Sequence, residues 1–193
     1  MDPRAQEVLD FWFGPAGSPV HGSQRTEWFA KDDGFDALIG QRFGGLVDAA
    51  LAGGLRDWDA QAEGALARIL VLDQFTRNSA RGTPRAFAGD RQALEAARSL
   101  VDAGTDRLLT PLQRSFAYLP FEHAEDTAMQ DQALRLFTAL AGEAPDLAGM
   151  VEYARRHREI VVRFGRFPHR NGVLGRPSSA EETAFLQQPG SRF

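Results

Sequence analysis

The chain has 193 residues, of which 43% are hydrophobic and 25% are charged, as is typical of a single globular domain over residues 1–193 with a core of its own. It contains no cysteine, which excludes disulfides, thiolate metal sites and a cysteine nucleophile. Its formal net charge of −4 argues against a protein that binds nucleic acid or an anionic membrane through a general excess of positive charge.

Start and stop signals for helices recur from the N-terminus onward. Asp2 can cap a first helix that has Pro3 at its N1 position and ends at Gly14. Residues 35–47 then carry apolar side chains three and four residues apart, the spacing of a helix that packs one face against a core. The first quarter of the chain therefore predicts helices and no strand.

The same signals continue to the C-terminus. Asp90 can cap a helix that ends at Gly104, and Asp146 can cap one that ends at Gly165. Capping boxes are expected to begin at two further positions, Thr110 and Ser179. Because no stretch shows the strict alternation of a half-buried strand, we predict an all-α fold of about eight or nine helices.

Ionisable side chains continue the apolar stripes of three helices at four positions: Asp73, Arg77, His123 and His157. Burying an unpaired charge costs several kcal/mol, so these groups should pair with each other or with a ligand. One interpretation is an internal network, in which Asp73 pairs with Arg77 and each histidine bonds to a carbonyl or carboxylate. The other is a polar pocket, in which the stripes meet in one core and bring Asp73 close to His123 and His157.

Positive charge is concentrated in two segments of this acidic chain. The first carries Arg77, Arg81 and Arg85, and the second spans residues 163–178 without an acidic residue. The second segment holds six side chains suited to an anion: Arg163, Arg166, His169, Arg170, Asn171 and Arg176. Arginine binds carboxylate or phosphate groups with a planar fork of donors. The alternative is that these arginines pair with the acidic stretch 122–131 inside the protein, which leaves no site.

Other chemistry has little support in the residues. Glu122 and His123 could bind a metal ion together with another histidine, but no HExxH-type spacing is present, so we assign no metal and no cofactor. The GxSxG, Walker A and GxGxxG sequences are absent. The aromatic residues at 11–13, together with Trp28 and Phe29, are expected to be core rather than a ligand platform.

The location is predicted from two features of the sequence. Glu7 and Asp10 interrupt the apolar stretch that a signal peptide would need at the N-terminus. No apolar run approaches the roughly 18 residues of a membrane span. We therefore expect a cytoplasmic protein that does not enter membranes.

Four segments together resemble a known family. They are VLDFWFG at 8–14, LDQFTRN with the arginine-rich run that follows it to residue 87, LPFEHAED at 119–126 behind the PLQR sequence at 111–114, and RFGRFPHRN at 163–171 followed by LGR. This combination is similar to the bacterial family called domain of unknown function 924. The resemblance implies an all-α right-handed superhelix like those of tetratricopeptide repeats. It implies no activity, cofactor or catalytic residue.

Two functional hypotheses follow. In the first, an arginine- and histidine-lined pocket binds a small phosphate or carboxylate compound, and hydrolytic or acid–base chemistry can accompany binding. Its proposed ligand-binding residues are Arg77, Arg81, Arg166, His169, Arg170 and Asn171, and its hypothetical catalytic residues are Asp73, Glu122, His123 and His157. In the second, a helical-repeat scaffold binds a peptide or partner protein in a concave groove. The residues leave open whether a reaction occurs, the oligomeric state, and whether the Phe167–Pro168 bond is cis.

Overall fold

Capping residues fix the ends of several helices as the sequence predicts. The computed structural model describes residues 1–28 and 30–191. Helix α1 (Pro3–Phe13) begins behind Asp2, whose carboxylate accepts the Arg4 N–H, and it ends at Gly14. The two predicted capping boxes form at the starts of α6 (Pro111–Glu122) and α9 (Ala180–Phe185). The remaining helices are α2 (Asp33–Leu51), α3 (Ala62–Leu70), α4 (Thr76–Ser79), α5 (Asp90–Asp102), α7 (Thr127–Glu143) and α8 (Gly149–Phe164).

A π-helical turn joins two of these helices into one continuous run. The turn, Val71–Phe75, follows α3 directly and leads into α4 without a break. Counted this way, the described part of the chain has eight helices and no strand, so the predicted all-α class is confirmed. The tetratricopeptide-like superhelix implied by the resemblance stays a prediction.

Two predicted caps are wrong. Asp90 lies inside the first turn of α5 and Gly89 is the N-cap, because the Asp90 carboxylate is 2.8 Å from Nη1 of Arg77 instead of the helix amides. Asp146 lies in a 3₁₀ turn that starts at Pro145, so that α8 begins later, behind Ala148. The predicted end of α8 at Gly165 is correct, since this glycine adopts the left-handed conformation with φ of 69°.

The Cα positions group into two compact units. The first unit contains residues 1–81 and 85–120, and the second contains residues 82–84 and 121–193. In the first unit, α1 and α5 both pack on α3, and in the second α7 packs along α8. The division falls within α6, after Pro120. The single domain expected over residues 1–193 stays a prediction.

Aromatic rings form much of the core of the first unit. Trp28 meets Phe116 nearly edge-on, with ring centroids 4.8 Å apart, and Trp12 meets the same ring at 5.6 Å. Phe11 and Phe13 also pack against aromatic neighbours, so these residues are core as the sequence predicts. Phe29, which was expected to join them, lies outside the described residues.

Candidate functional site

The π-helical turn of the first unit holds a buried ion pair. Asp73 is fully buried, and its Oδ1 lies 3.0 Å from Nη1 of Arg77, one helical turn further along. The same Arg77 nitrogen lies 2.8 Å from Oδ1 of Asp90, and Gln74 donates to Asp73 Oδ2 at 2.6 Å. The internal pairing of Asp73 with Arg77, one of the two interpretations of the sequence, is therefore present.

Arg77 remains charged in this environment and retains one unused donor. Burial disfavours the guanidinium cation, but the carboxylates of Asp73 and Asp90 outweigh that cost and raise the pKa of Arg77. Its Nη2 is buried, and none of the described residues accepts a hydrogen bond from it. Both carboxylates lie on the Nη1 side, so the network fixes the orientation of the side chain without using every donor.

The other arginines of the first basic segment lie against carboxylates of α2. Arg81 donates from Nε and Nη2 to the two oxygens of Asp36, at 2.7 and 3.0 Å. Arg85 pairs with Asp48. These contacts match the alternative in which positive charge is neutralised within the protein, although there the acids belong to α2 rather than to the stretch 122–131 that the sequence suggested.

Most of the second basic segment is also engaged with protein groups. Arg166 donates to both oxygens of Glu182, at 2.7 and 2.9 Å, and Arg163 pairs with Glu181. Asn171 is buried, where it accepts from Arg176 at 3.0 Å and donates to Ser178, also at 3.0 Å. The anion-binding roles expected for Arg166 and Asn171 stay predictions, and both side chains have protein partners here.

A buried histidine of the second unit lies beside a buried carboxylate. The Nδ1 atom of His157 is 2.9 Å from the Tyr153 carbonyl oxygen and 3.3 Å from Oε1 of Glu122. A carbonyl oxygen can only accept, so Nδ1 carries the proton and Nε2 carries the lone pair. Burial lowers the pKa of His157, and the Tyr153 hydrogen bond partly opposes this effect. The positive charges of His123, Arg170 and His169 add to the lowering, and the resulting pKa is about 3.

One phenylalanine links His157 to the second basic segment. The ring of Phe167 is fully buried and meets the ring of His157 edge-on at 5.5 Å. The guanidinium of Arg170 lies over the same phenyl ring at 4.5 Å, and the ring of His169 is 5.7 Å away. His123 reaches His157 from the C-terminal end of α6, with ring centroids 6.4 Å apart. We call Glu122, His123, His157, His169 and Arg170 the histidine–arginine cluster.

The predicted site residues thus fall into two groups. The second unit holds all five members of the cluster, whereas Asp73, Arg77 and Arg81 belong to the first unit. The predicted approach of Asp73 to His123 and His157 stays a prediction. The Phe167–Pro168 bond is trans. Among the described residues, no three His, Asp or Glu side chains are grouped so as to hold a metal ion.

Phe167 was not predicted from the sequence, whereas pairing of the acidic stretch 122–131 with the second basic segment, which supply Glu125 and Arg176, was one of the two interpretations. Phe167 lies among the cationic side chains, and Glu125 and Arg176 bind each other across 51 residues of sequence. Glu125 lies in the acidic stretch and Arg176 in the second basic segment, so charge complementarity between the two stretches was the available signal. It could not indicate which acid meets which base, because pairing over that distance depends on the tertiary fold.

Comparison with known proteins gives a family but no activity. The family model described as "Bacterial protein of unknown function (DUF924)" matches residues 8–190. A solved structure of a protein of unknown function from Agrobacterium tumefaciens is 39% identical, with a TM-score of 0.83 over 95% of this chain and 97% of that one. The comparison with curated proteins found no match. Of the helices in the described residues, none is long and apolar enough to cross a membrane. The match over nearly the whole chain shows that this protein belongs to the DUF924 family.

Proposed function

We propose that the histidine–arginine cluster of the second unit binds a small anionic compound through its phosphate or carboxylate group. The observation that carries this proposal is the composition of the cluster, in which the Arg170 guanidinium and the imidazoles of His123 and His169 lie with the neutral His157 and the single carboxylate of Glu122. The whole chain carries a net charge of −4, so the basic character of this cluster is opposite to the charge of the molecule as a whole. A local excess of positive charge raises the local concentration of small anions.

The members of the cluster contribute in different ways. Arg170 is buried with its guanidinium over the Phe167 ring, and a fixed guanidinium in a low-dielectric environment attracts an anion more strongly than one in water. His123 and His169 are partly exposed and provide ring N–H donors. We assign anion binding to Arg170, His169 and His123, while Arg81 and Arg166 retain their carboxylate partners.

The proposal concerns binding rather than catalysis. An imidazole that titrates near pH 3 is too weak a base to take a proton efficiently at neutral pH. We therefore give His157 the role of a neutral hydrogen-bond acceptor at Nε2, with its ring oriented by Tyr153 and Glu122. No acid–base or hydrolytic step is assigned to Glu122, Asp73 or His123.

Thermal unfolding in the presence of anions tests this proposal. Inorganic phosphate or acetate should raise the melting temperature by a few degrees above sodium chloride of equal ionic strength, since a ligand that binds only the folded state stabilises it. Arg170→Gln and the milder His169→Gln should remove the gain. Arg155→Gln, which changes an exposed arginine on the helix that carries His157, should keep it. No rise with either anion would overturn the proposal.

The scaffold hypothesis gives the opposite result in the same experiment. A groove for a peptide or partner protein predicts that small anions do not change the melting temperature. Phosphate would then stabilise neither the wild type nor Arg170→Gln. We also propose a cytoplasmic location for the protein.

A further inference from the structure

One carboxylate anchors the loop that carries Phe167, His169 and Arg170. Glu125 accepts hydrogen bonds from Nη1 and Nη2 of Arg176 at 2.6 and 2.9 Å, so the pair is bidentate. It also accepts the backbone N–H of Phe167 at 2.8 Å. Burial alone would raise the pKa of Glu125, but Arg176 and the Phe167 N–H outweigh this and lower it. Glu125 is therefore an ionised group with three donors in fixed positions.

Arg176 ties the same loop to itself. Its Nε donates to the side-chain oxygen of Asn171 at 3.0 Å, and its Nη2 also lies 3.2 Å from the Phe167 carbonyl oxygen. Its own backbone N–H donates to the Asn171 carbonyl oxygen at 2.8 Å. All three guanidinium nitrogens thus have an acceptor. The side chain of Arg176, at one end of the segment 167–176, therefore also holds the backbone of Phe167 at the other end.

Phe167 is the residue on which these contacts converge. Its N–H is held by Glu125 and its carbonyl oxygen by Arg176, so the backbone around it is fixed on both sides. Its ring lies against His157, His169 and Arg170, three of the five cluster members. A shift of this ring would therefore displace the groups proposed to bind the anion.

We propose that Glu125 and Arg176 are positioning residues of the anion site, which act by fixing Phe167 beneath the histidine–arginine cluster. The inference rests on the proposed function, since the expected consequence is stronger anion binding. A site that is already held in its binding geometry loses less conformational entropy when the ligand binds. It extends the site to two residues that need not touch the ligand. Asn171, whose side-chain oxygen accepts a hydrogen bond from Nε of Arg176, supports these two positioning residues.

Histidine NMR tests the positioning directly, without any ligand. The chain has four histidines, so their imidazole signals can be assigned by single substitutions. In Glu125→Gln and in Arg176→Lys, the signals of His157 and His169 should shift and broaden relative to wild type. His21, whose Nδ1 lies 2.7 Å from the Gly14 carbonyl oxygen in the first unit, should keep its signal. Unchanged His157 and His169 signals in a folded variant would overturn the proposal.

A matched control separates positioning from the loss of any ion pair. Glu152→Gln removes a carboxylate that also pairs with an arginine, Arg155 at 2.6 Å, but on the exposed side of α8. It should leave the signals of His157 and His169 in place. If Glu125→Gln does not fold, Arg176→Lys keeps the positive charge but loses the bidentate geometry and the guanidinium contacts with Asn171 and Phe167, so the test remains available.

Phosphate titration of the same samples tests whether the Glu125–Arg176 pair affects anion binding. Where wild type binds inorganic phosphate, Glu125→Gln and Arg176→Lys should weaken binding about tenfold, which corresponds to about 1.4 kcal/mol. Wild-type affinity in the folded variants would overturn the positioning role. Where wild type does not bind phosphate or acetate, the proposed function fails, and the histidine signals still decide whether Glu125 and Arg176 position Phe167.

Discussion

At the scale of single residues, the state of His157 depends on a short-range contact and a tertiary one. The Tyr153 carbonyl lies four residues earlier on the same helix, so α8 itself supplies the acceptor for Nδ1. Glu122 comes from another helix, and burial is a property of the whole unit. Together they hold a neutral imidazole in the same cluster as the Arg170 cation.

This neutral state makes stability depend on pH. The pKa of His157 is about 3 when folded against an ordinary value of 6.5, so the unfolded chain binds more protons between these two pH values. The free energy of unfolding should therefore fall as the pH drops from 6.5 toward 3. The slope from this residue is at most about 1.4 kcal/mol per pH unit.

Denaturant titrations of wild type and His157→Gln at several pH values measure this contribution. The variant should show a shallower loss between pH 6.5 and 4, since glutamine does not titrate. Substituting the exposed Glu63 with Gln serves as a control that retains the histidine. Parallel curves for wild type and His157→Gln would contradict a depressed pKa.

The sequence predicted residue contacts well where the partners are close along a helix. Asp73 and Arg77 are four residues apart, so the stripe that contains both already indicates their pairing. Glu125 and Arg176 are 51 residues apart, and nothing local in either stretch selects the partner. Residue spacing therefore could not predict the Glu125–Arg176 pair that fixes Phe167. It did indicate His157, His169 and Arg170, whose side chains lie against that ring.

At the scale of elements, the π-helical turn and the start of α5 meet at a glycine. A Cβ built on Gly89 would lie 2.1 Å from the Leu72 carbonyl oxygen, a separation that no side chain can adopt. This close approach brings Asp90 beside Arg77, which explains why Asp90 does not cap its helix. The caps at Asp2, Thr110 and Ser179 involve only neighbouring residues and were predicted correctly, whereas this one fails because a tertiary partner takes the carboxylate.

Glycine substitutions test that packing. Gly89→Ala should destabilise the protein by about 1–3 kcal/mol or more, because the methyl group forces α5 away from Leu72. Gly45→Ala is the matched control, since it lies inside α2 with no atom near its Cβ position. It should stabilise by about 0.5–1 kcal/mol through helix propensity. Chemical denaturation of both variants measures the difference, and a neutral Gly89→Ala would refute the close packing.

At the scale of the whole molecule, the helical class followed from the sequence because caps and apolar spacing are local signals. The division into two units did not, since no linker, repeat or composition change marks it along the chain. Helix α6 crosses the division after Pro120, so residues of both units share one stretch of helical backbone. That continuity is the physical basis for expecting the units to unfold together.

Whether the two units unfold together can be measured with spectroscopic probes that each lie in only one unit. The three tryptophans, Trp12, Trp28 and Trp58, all belong to the first unit, whereas His157 and His169 report on the second. In a urea titration, tryptophan fluorescence and the two histidine NMR signals should give one midpoint, as expected for a single cooperative domain. Gly89→Ala, a change in the first unit, should lower both midpoints by the same amount. Separate midpoints would mean that α6 does not transmit cooperativity and that the chain folds as two domains.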